Sequence, residues 1–221
     1  MSPDTSGGEN HTVKSSEKRI TVLKKYPFLP AWLSLAGNFA YAVFHMILSA
    51  ANDSVWDTVM ALYFFVLGAG RLTAVIRRIR TAYRIRAAAF SVAAVTFLTS
   101  VITYLTIRGG INPVRNSILV IGQAACAFLL TGVAVVNLIK SYRKNDPDAV
   151  MIRNLSMAAA TGSILSLERT MLGTFGSPDV PFNRWMEAAT GAGAFIILLV
   201  MSVNLFIYSF RFERRNHSGK V

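Results

Sequence analysis

The stretch FLPAWLSLAGNFAYAVFHMILSA, residues 28–50, decides the fold of this chain. It contains no Asp, Glu, Lys or Arg. It is long enough to cross a hydrocarbon core as a helix, which takes about 20 apolar residues at 1.5 Å each. Five further apolar stretches follow, at residues 55–76, 87–107, 116–139, 149–172 and 186–210. The sequence therefore predicts an all-α polytopic membrane protein, a bundle of six transmembrane helices.

The composition agrees with a membrane protein. Of the 221 residues, 53% are hydrophobic and 15% are charged, whereas an ordinary soluble domain is roughly 25% charged. The net charge of +12 comes from basic residues that lie between the apolar stretches. That placement favours membrane topology and contact with anionic lipid headgroups over nucleic-acid binding. Cys126 is the sole cysteine, which excludes an intrachain disulfide and thiol-pair chemistry.

The distribution of Lys and Arg predicts the orientation. Two tails and two loops on one side hold seventeen of them, and the loops on the other side hold only Arg108, Arg115 and Arg184. By the positive-inside rule we expect both termini in the cytoplasm and the protein in the cytoplasmic membrane of a bacterium. We expect Trp56 and Trp185 at the outer interface.

The chain divides into three segments. We predict a disordered basic tail at residues 1–25, the transmembrane domain at residues 26–212 and a short cytoplasmic tail at residues 213–221. The first apolar stretch begins late and is long enough to span, so we expect an uncleaved anchor rather than a signal peptide.

Short polar segments separate the predicted spans. We expect Asn52 and Asp53 to cap the second span, residues 109–113 to turn between the third and fourth, and residues 145–147 to open the fifth.

One face of the first predicted helix is polar. Ser34, Asn38, Tyr41 and His45 recur at steps of four, three and four. Either this stripe lines a cavity, where His45 titrates or binds a ligand, or it bonds neighbouring helices together. The third helix carries threonines, for which we expect hydrogen bonds back to the preceding turn of the same helix.

Charged residues at membrane depth need a partner or water. Glu168 and Arg169 are adjacent, so their side chains diverge by about 100° and each is expected to find a partner on another helix. Ala158, Gly162 and Ser166 repeat at four-residue spacing below them, which predicts close helix packing. For Arg71, a snorkelling position near the cytoplasmic edge and a functional position are both open.

The predicted topology gathers ionisable residues at the outer end of the bundle, namely His45, Asp53, Asp57, Glu168 and Glu187. With Asn38 and Arg169 added, three of them form the candidate ligand-binding site, which consists of His45, Asn38, Asp57, Glu168 and Arg169. Such a site suits a small cationic or zwitterionic solute, or a coupling proton. The alternative is that Asp53, Asp57 and Glu187 are helix caps or dipole partners in the headgroup region.

Enzyme signatures are missing from the sequence. The histidines are His11, His45 and His217, and two of them lie in the tails. These are too few histidines for the active site of a histidine-box oxidase or a Ser/His hydrolase. No Gly-rich phosphate loop ends in Lys. We therefore expect no enzymatic activity, no cofactor and no metal site.

Two segments resemble a known group of proteins. NLIKSYRK at 137–144 and LSLERTML at 165–172, with residues 67–71, resemble a family of small six-helix membrane proteins of Gram-positive bacteria. The resemblance implies a six-helix fold and a location in the cytoplasmic membrane. The family has no established activity, so no residue roles carry over. It often has Gln at the position of Glu168, which implies that a carboxylate there is not essential.

In size and helix number the chain is also similar to the substrate-binding membrane subunits of energy-coupling-factor transporters. Ala36 and Ala40 resemble the small-residue motif with which such subunits dock their coupling partner. Two functions thus remain open. One is an accessory or regulatory membrane protein whose basic loops meet anionic lipid or a protein partner, and the other is a small-solute recognition or transport subunit with an outward-facing polar site.

Overall fold

Regular structure in the described part of the chain is entirely helical. The computed structural model describes residues 29–76, 78–108, 117–142, 146–175 and 180–218. The helices are α1 (Leu29–Asn52), α2 (Val55–Val75), α3 (Thr81–Arg108), α4 (Ser117–Tyr142), α5 (Pro147–Phe175) and α6 (Val180–Ser218). The predicted tail at 1–25 and the turn at 109–113 lie outside the described residues.

Five of these helices are long and apolar enough to cross a membrane, namely α1, α2, α3, α5 and α6. The described apolar stretch of α4 is shorter and covers Ile121–Val136. Several helices extend beyond the predicted spans, α6 most of all. Its 39 residues reach about 58 Å at 1.5 Å per residue, well beyond a hydrocarbon core of about 30 Å.

Polarity is inverted relative to a soluble protein. Large apolar side chains face outward, including Trp185 at 77% and Phe128 at 74% exposure. His45, Asp57 and Arg71 are buried. An apolar exterior around a polar interior suits a lipid solvent, in which exposed charge is costly.

The fifth helix occupies the centre of the bundle. α5 contacts each of the other five helices, whereas α1 packs mainly on α2, and α3 packs along α6. Its buried residues include many small ones, such as Ala158, Gly162 and Ser166. Small side chains let helix backbones approach closely in a bilayer, so the predicted close packing of this helix is confirmed.

Helix starts differ in part from the prediction. Asn52 and Asp53 do not cap α2. Asn52 is the exposed last residue of α1, and Asp53 is exposed in the turn that follows, with a positive φ of 48°. Ser54 is the cap, and its hydroxyl accepts from the backbone N–H of Asp57 at 3.3 Å. The fifth helix begins at Pro147 as expected, since proline suits the first helical position.

Arginine side chains form hydrogen bonds and an ion pair between helices at the end of the bundle where the basic loops lie. Arg84 of α3 donates to the carbonyl oxygen of Ala74, near the end of α2, and pairs with Asp148 at the start of α5 at 3.1 Å. Arg71 is buried and donates to the hydroxyl of Ser156 at 3.1 Å. The snorkelling alternative for Arg71 is therefore wrong, because its guanidinium bonds to a neighbouring helix.

Candidate functional site

His45 and Asp57 form a buried pair at the opposite end of the bundle. His45 lies near the end of α1 and Asp57 in the first turn of α2, so the tight α1–α2 turn brings them together. His45 Nδ1 lies 2.9 Å from Asp57 Oδ1, with side-chain exposures of 0% and 5%. An ionised carboxylate only accepts hydrogen bonds, so opposite an ionised Asp57 the Nδ1 nitrogen is the donor.

The second imidazole nitrogen extends this pair to α5 and α4. His45 Nε2 lies 3.1 Å from Ser166 Oγ, and Gln123 Nε2 donates to the same oxygen at 3.2 Å. When the ring is neutral, the Ser166 hydroxyl donates to Nε2 and accepts from Gln123. We name Asp57, His45, Ser166 and Gln123 the histidine relay. It joins four helices through one continuous set of hydrogen bonds.

Aromatic rings enclose His45. The edge-on rings of Tyr41 and Trp56 have centroids 4.9 and 5.8 Å from that of the imidazole, and the ring of Phe64 is stacked at 6.1 Å. Trp56 is therefore not an interface anchor, as its sequence position suggested, because it is buried against the histidine. The rings exclude water and strengthen the His45–Asp57 attraction.

A second cluster surrounds Arg169. Its Nη1 donates to Thr106 Oγ1 of α3 at 3.1 Å and lies 3.8 Å from Glu187 Oε2 of α6. Its guanidinium carbon lies 4.8 Å from the centroid of the Trp56 ring, within cation–π range. We name Arg169, Thr106, Trp56 and Glu187 the arginine cluster. Trp56 contacts both His45 and Arg169 and so connects the cluster to the relay.

Glu168 points away from Arg169 along the helix surface. Its Oε1 accepts from the hydroxyl of Thr190 in α6 at 2.7 Å, and the residue is only partly buried. The two adjacent charged residues thus reach partners on other helices, as predicted. Neither neutralises the other.

Asn38 lies deeper in the bundle than the histidine relay. It is fully buried, and neither its Oδ1 nor its Nδ2 has a hydrogen-bond partner within the described structure. Ser34, one turn further along the stripe, is also buried without a partner for its Oγ. Buried polar groups are normally paired with protein or ordered water, so the Asn38 amide and the Ser34 hydroxyl are exceptions within the described structure.

The threonines of α3 mostly bond within their helix. The hydroxyls of Thr96, Thr99 and Thr103 donate to carbonyl oxygens one turn earlier, at 2.7 to 2.9 Å, which confirms the prediction. Thr106 is the exception, because it accepts from Arg169. It belongs to the site for that reason.

The candidate site is partly assembled as the sequence suggested. His45 and Asp57 bond directly, while Asp53 is exposed in the turn and contributes nothing to the relay. Sequence reasoning missed Trp56 and the pairing of Ser166 with His45. The predicted topology places Ser166 and His45 at a similar depth in the membrane. That similarity was the one feature of the sequence that could have suggested their pairing.

No group of three or more His, Cys, Asp or Glu side chains is placed to hold a metal ion among the residues that the structure describes. The site is therefore a cluster of hydrogen-bonding and ionisable groups. Comparisons of the chain with protein-family models, with curated proteins and with solved structures found no match.

Proposed function

We propose that this chain is a small-solute recognition or transport subunit whose polar site faces the outside of the cell. The observation that carries the proposal is the unpaired, fully buried amide of Asn38 on the same helix face as the His45–Asp57 pair. Residues that only bond helices together satisfy each other's polar groups, since an unpaired polar group costs free energy in lipid. A guest molecule or water would supply the partner that Asn38 lacks.

The charges of the site suit a cation or a zwitterion. Asp57, Glu168 and Glu187 are acidic, and Arg169 is their fixed basic counterpart. The excess of acidic groups favours a solute with a positive group. This charge balance favours transport or recognition over the accessory role, which requires no outward-facing acidic cluster.

The proposed location is a bacterial membrane, and the proposed topology has six spans. The chain resides in the cytoplasmic membrane of a bacterium with α4 as the sixth span and both termini in the cytoplasm. The uneven distribution of Lys and Arg supports this orientation. The basic loops then lie against anionic headgroups or a protein partner in the cytoplasm.

The test is purification of the tagged protein in mild detergent, followed by native mass spectrometry of what stays bound. A bound small molecule, lost in Asn38→Leu and kept in the control Ser100→Ala, is the expected result, because Asn38 makes no hydrogen bond within the described structure. Ser100 is a suitable control because its hydroxyl bonds only to its own helix. Recovery with an ATPase-containing coupling module would identify the transport system. Recovery with neither, from native cells, would contradict the proposal and favour the accessory role.

One observation favours a second function, an intramembrane hydrolase. Ser166, His45 and Asp57 stand in the order of a Ser-His-Asp triad, at 3.1 and 2.9 Å. The arrangement lacks an accessible nucleophile, because Ser166 is fully buried. It lies within α5, where backbone N–H groups bond along the helix and do not form an oxyanion hole.

A fluorophosphonate probe separates the two functions. Covalent labelling of the native protein that disappears in both Ser166→Ala and His45→Gln would establish the hydrolase. Absence of labelling in detergent and in lipid nanodiscs is the result we expect for a transport subunit.

A further inference from the structure

The carboxyl group of Glu187 is buried without a hydrogen bond. The residue is 7% exposed, and neither Oε1 nor Oε2 has a hydrogen-bond partner in the described structure. Its neighbouring cation, Arg169, has Nη1 at 3.8 Å from Oε2. A hydrogen bond between nitrogen and oxygen spans 2.7 to 3.2 Å, so this ion pair is not closed.

An ionised carboxylate in this position would be costly. Burial without hydrogen bonds strongly disfavours a charged group, and a buried acid escapes that cost by taking up a proton. Arg169 offsets only part of this cost, because its nearest nitrogen lies 3.8 Å from Oε2 and donates its hydrogen bond to Thr106 instead. We infer that Glu187 binds a proton in this conformation and is the proton-carrying group of the site.

The groups around Glu187 favour the neutral acid. α5 contributes Arg169 and the carboxyl group of Glu168, which accepts a hydrogen bond from Thr190. α3 contributes the hydroxyl of Thr106, which Arg169 occupies. One nearby carboxyl group and a guanidinium that forms no hydrogen bond to Glu187 leave limited stabilisation for a further negative charge.

Glu168 provides the contrast on the neighbouring helix. It is partly exposed and accepts a hydrogen bond from Thr190 at 2.7 Å, which suits the ionised form. The two glutamates differ in burial and in hydrogen bonding. Of the two, Glu187 alone is buried with carboxyl oxygens that accept no hydrogen bond within the described structure.

A small movement of α6 against α5 would release the proton. If Arg169 Nη1 came within hydrogen-bond distance of Glu187, the O–H bond of the acid would break, the proton would pass to water, and the carboxylate would pair with the guanidinium. Such a step would couple a proton to the conformation of the bundle. Its use in solute transport rests on the proposed function, whereas the bound proton does not.

Infrared spectroscopy of the protein in lipid nanodiscs at neutral pH tests the inference. A protonated carboxyl has a C=O stretching band that is separate from the amide bands and shifts to lower wavenumber in D₂O. We expect the wild-type spectrum to contain such a band, Glu187→Gln to lose it, and Glu168→Gln to retain it. Glutamine has nearly the shape of the neutral acid, so Glu187→Gln should keep the wild-type amide band and elution volume.

The outcomes separate the inference from the proposed function. A band that persists in Glu187→Gln, or a wild-type spectrum without a carboxyl band, would overturn the bound proton. If Glu187→Gln misfolds, Glu187→Asp offers a second measurement, because a protonated aspartate has its own C=O stretching frequency and the band should shift; an unshifted band would assign it to another residue. Detection of the band with no bound solute in mass spectrometry would keep the proton site and refute the transport function.

Discussion

The side chain of Tyr63 in α2 packs directly against Gly162 in α5. A Cβ atom at Gly162 would collide with the Tyr63 ring, whose hydroxyl donates to the carbonyl oxygen of Ala158 at 2.7 Å. This contact fixes α2 against α5, and these helices carry Asp57 and Ser166 of the histidine relay. The relay therefore depends on the small size of residue 162.

Gly162→Ala should destabilise the protein. Both the ring and the helix are buried, so the added methyl group forces a shift that costs about 1–3 kcal/mol of unfolding free energy. Gly193→Ala is the matched control, since a Cβ there meets no atom within 4 Å, and its effect should stay within about 1 kcal/mol. Unfolding by steric trapping in bicelles measures both. Equal stabilities of the two variants would show that the contact is looser than described.

The His45–Asp57 pair should be energetically coupled. Asp57→Asn and His45→Gln should each cost about 3–5 kcal/mol, because removal of one partner leaves the other buried and uncompensated. The double variant should cost less than the two together, with a coupling energy of about 0.5–3 kcal/mol. The same unfolding assay completes the cycle. Additive effects would mean that the two side chains act independently.

Two arginines of α3 should differ in their contribution to stability. Arg84 is 5% exposed and bonds to both Asp148 and the end of α2, whereas Arg86 is 37% exposed and pairs only with Glu213. Arg84→Gln should cost about 3–5 kcal/mol by leaving Asp148 without its cation at a partly buried site. Arg86→Gln should cost about 0–1 kcal/mol, as exposed pairs do. A larger loss in Arg86→Gln would reverse this assignment.

The topology is testable with the help of the lone cysteine. In a Cys126→Ala background, Asn52→Cys lies at the exposed end of α1 and Arg78→Cys in the exposed loop after α2. A membrane-impermeant maleimide added to intact cells should label the first variant and reach the second only after permeabilisation. The reverse pattern would invert the orientation that the Lys and Arg distribution predicts.

Features that depend only on contacts within one helix could be predicted from the sequence. The apolar stretches lie within the helices to within a few residues, and Thr96 and Thr99 bond inside α3 because their acceptors are local. Ser54 was missed as a cap because the neighbouring Asn52 and Asp53 are equally good capping residues by type. The turn geometry decides among them.

Residues whose partners are distant in sequence could not be predicted in the same way. The pairing of Ser166 with His45 spans 121 positions, and Trp56 is contacted by Arg169 of α5. Both contacts depend on how helices rotate about their axes. Hydrophobic stretches with little amphipathic contrast leave that rotation undetermined.

The short separation of His45 and Asp57 has a consequence for biogenesis. The pair closes within the α1–α2 hairpin, only 12 positions apart, whereas Ser166 and Arg169 emerge from the ribosome much later. During insertion, the carboxylate of Asp57 can therefore enter the bilayer already bonded to an imidazole, before α5 exists to bury it. His45 within the α1–α2 hairpin is thus the hydrogen-bond partner of Asp57 during insertion. The central helix α5, synthesised later, adds Ser166 to a pair that has already formed.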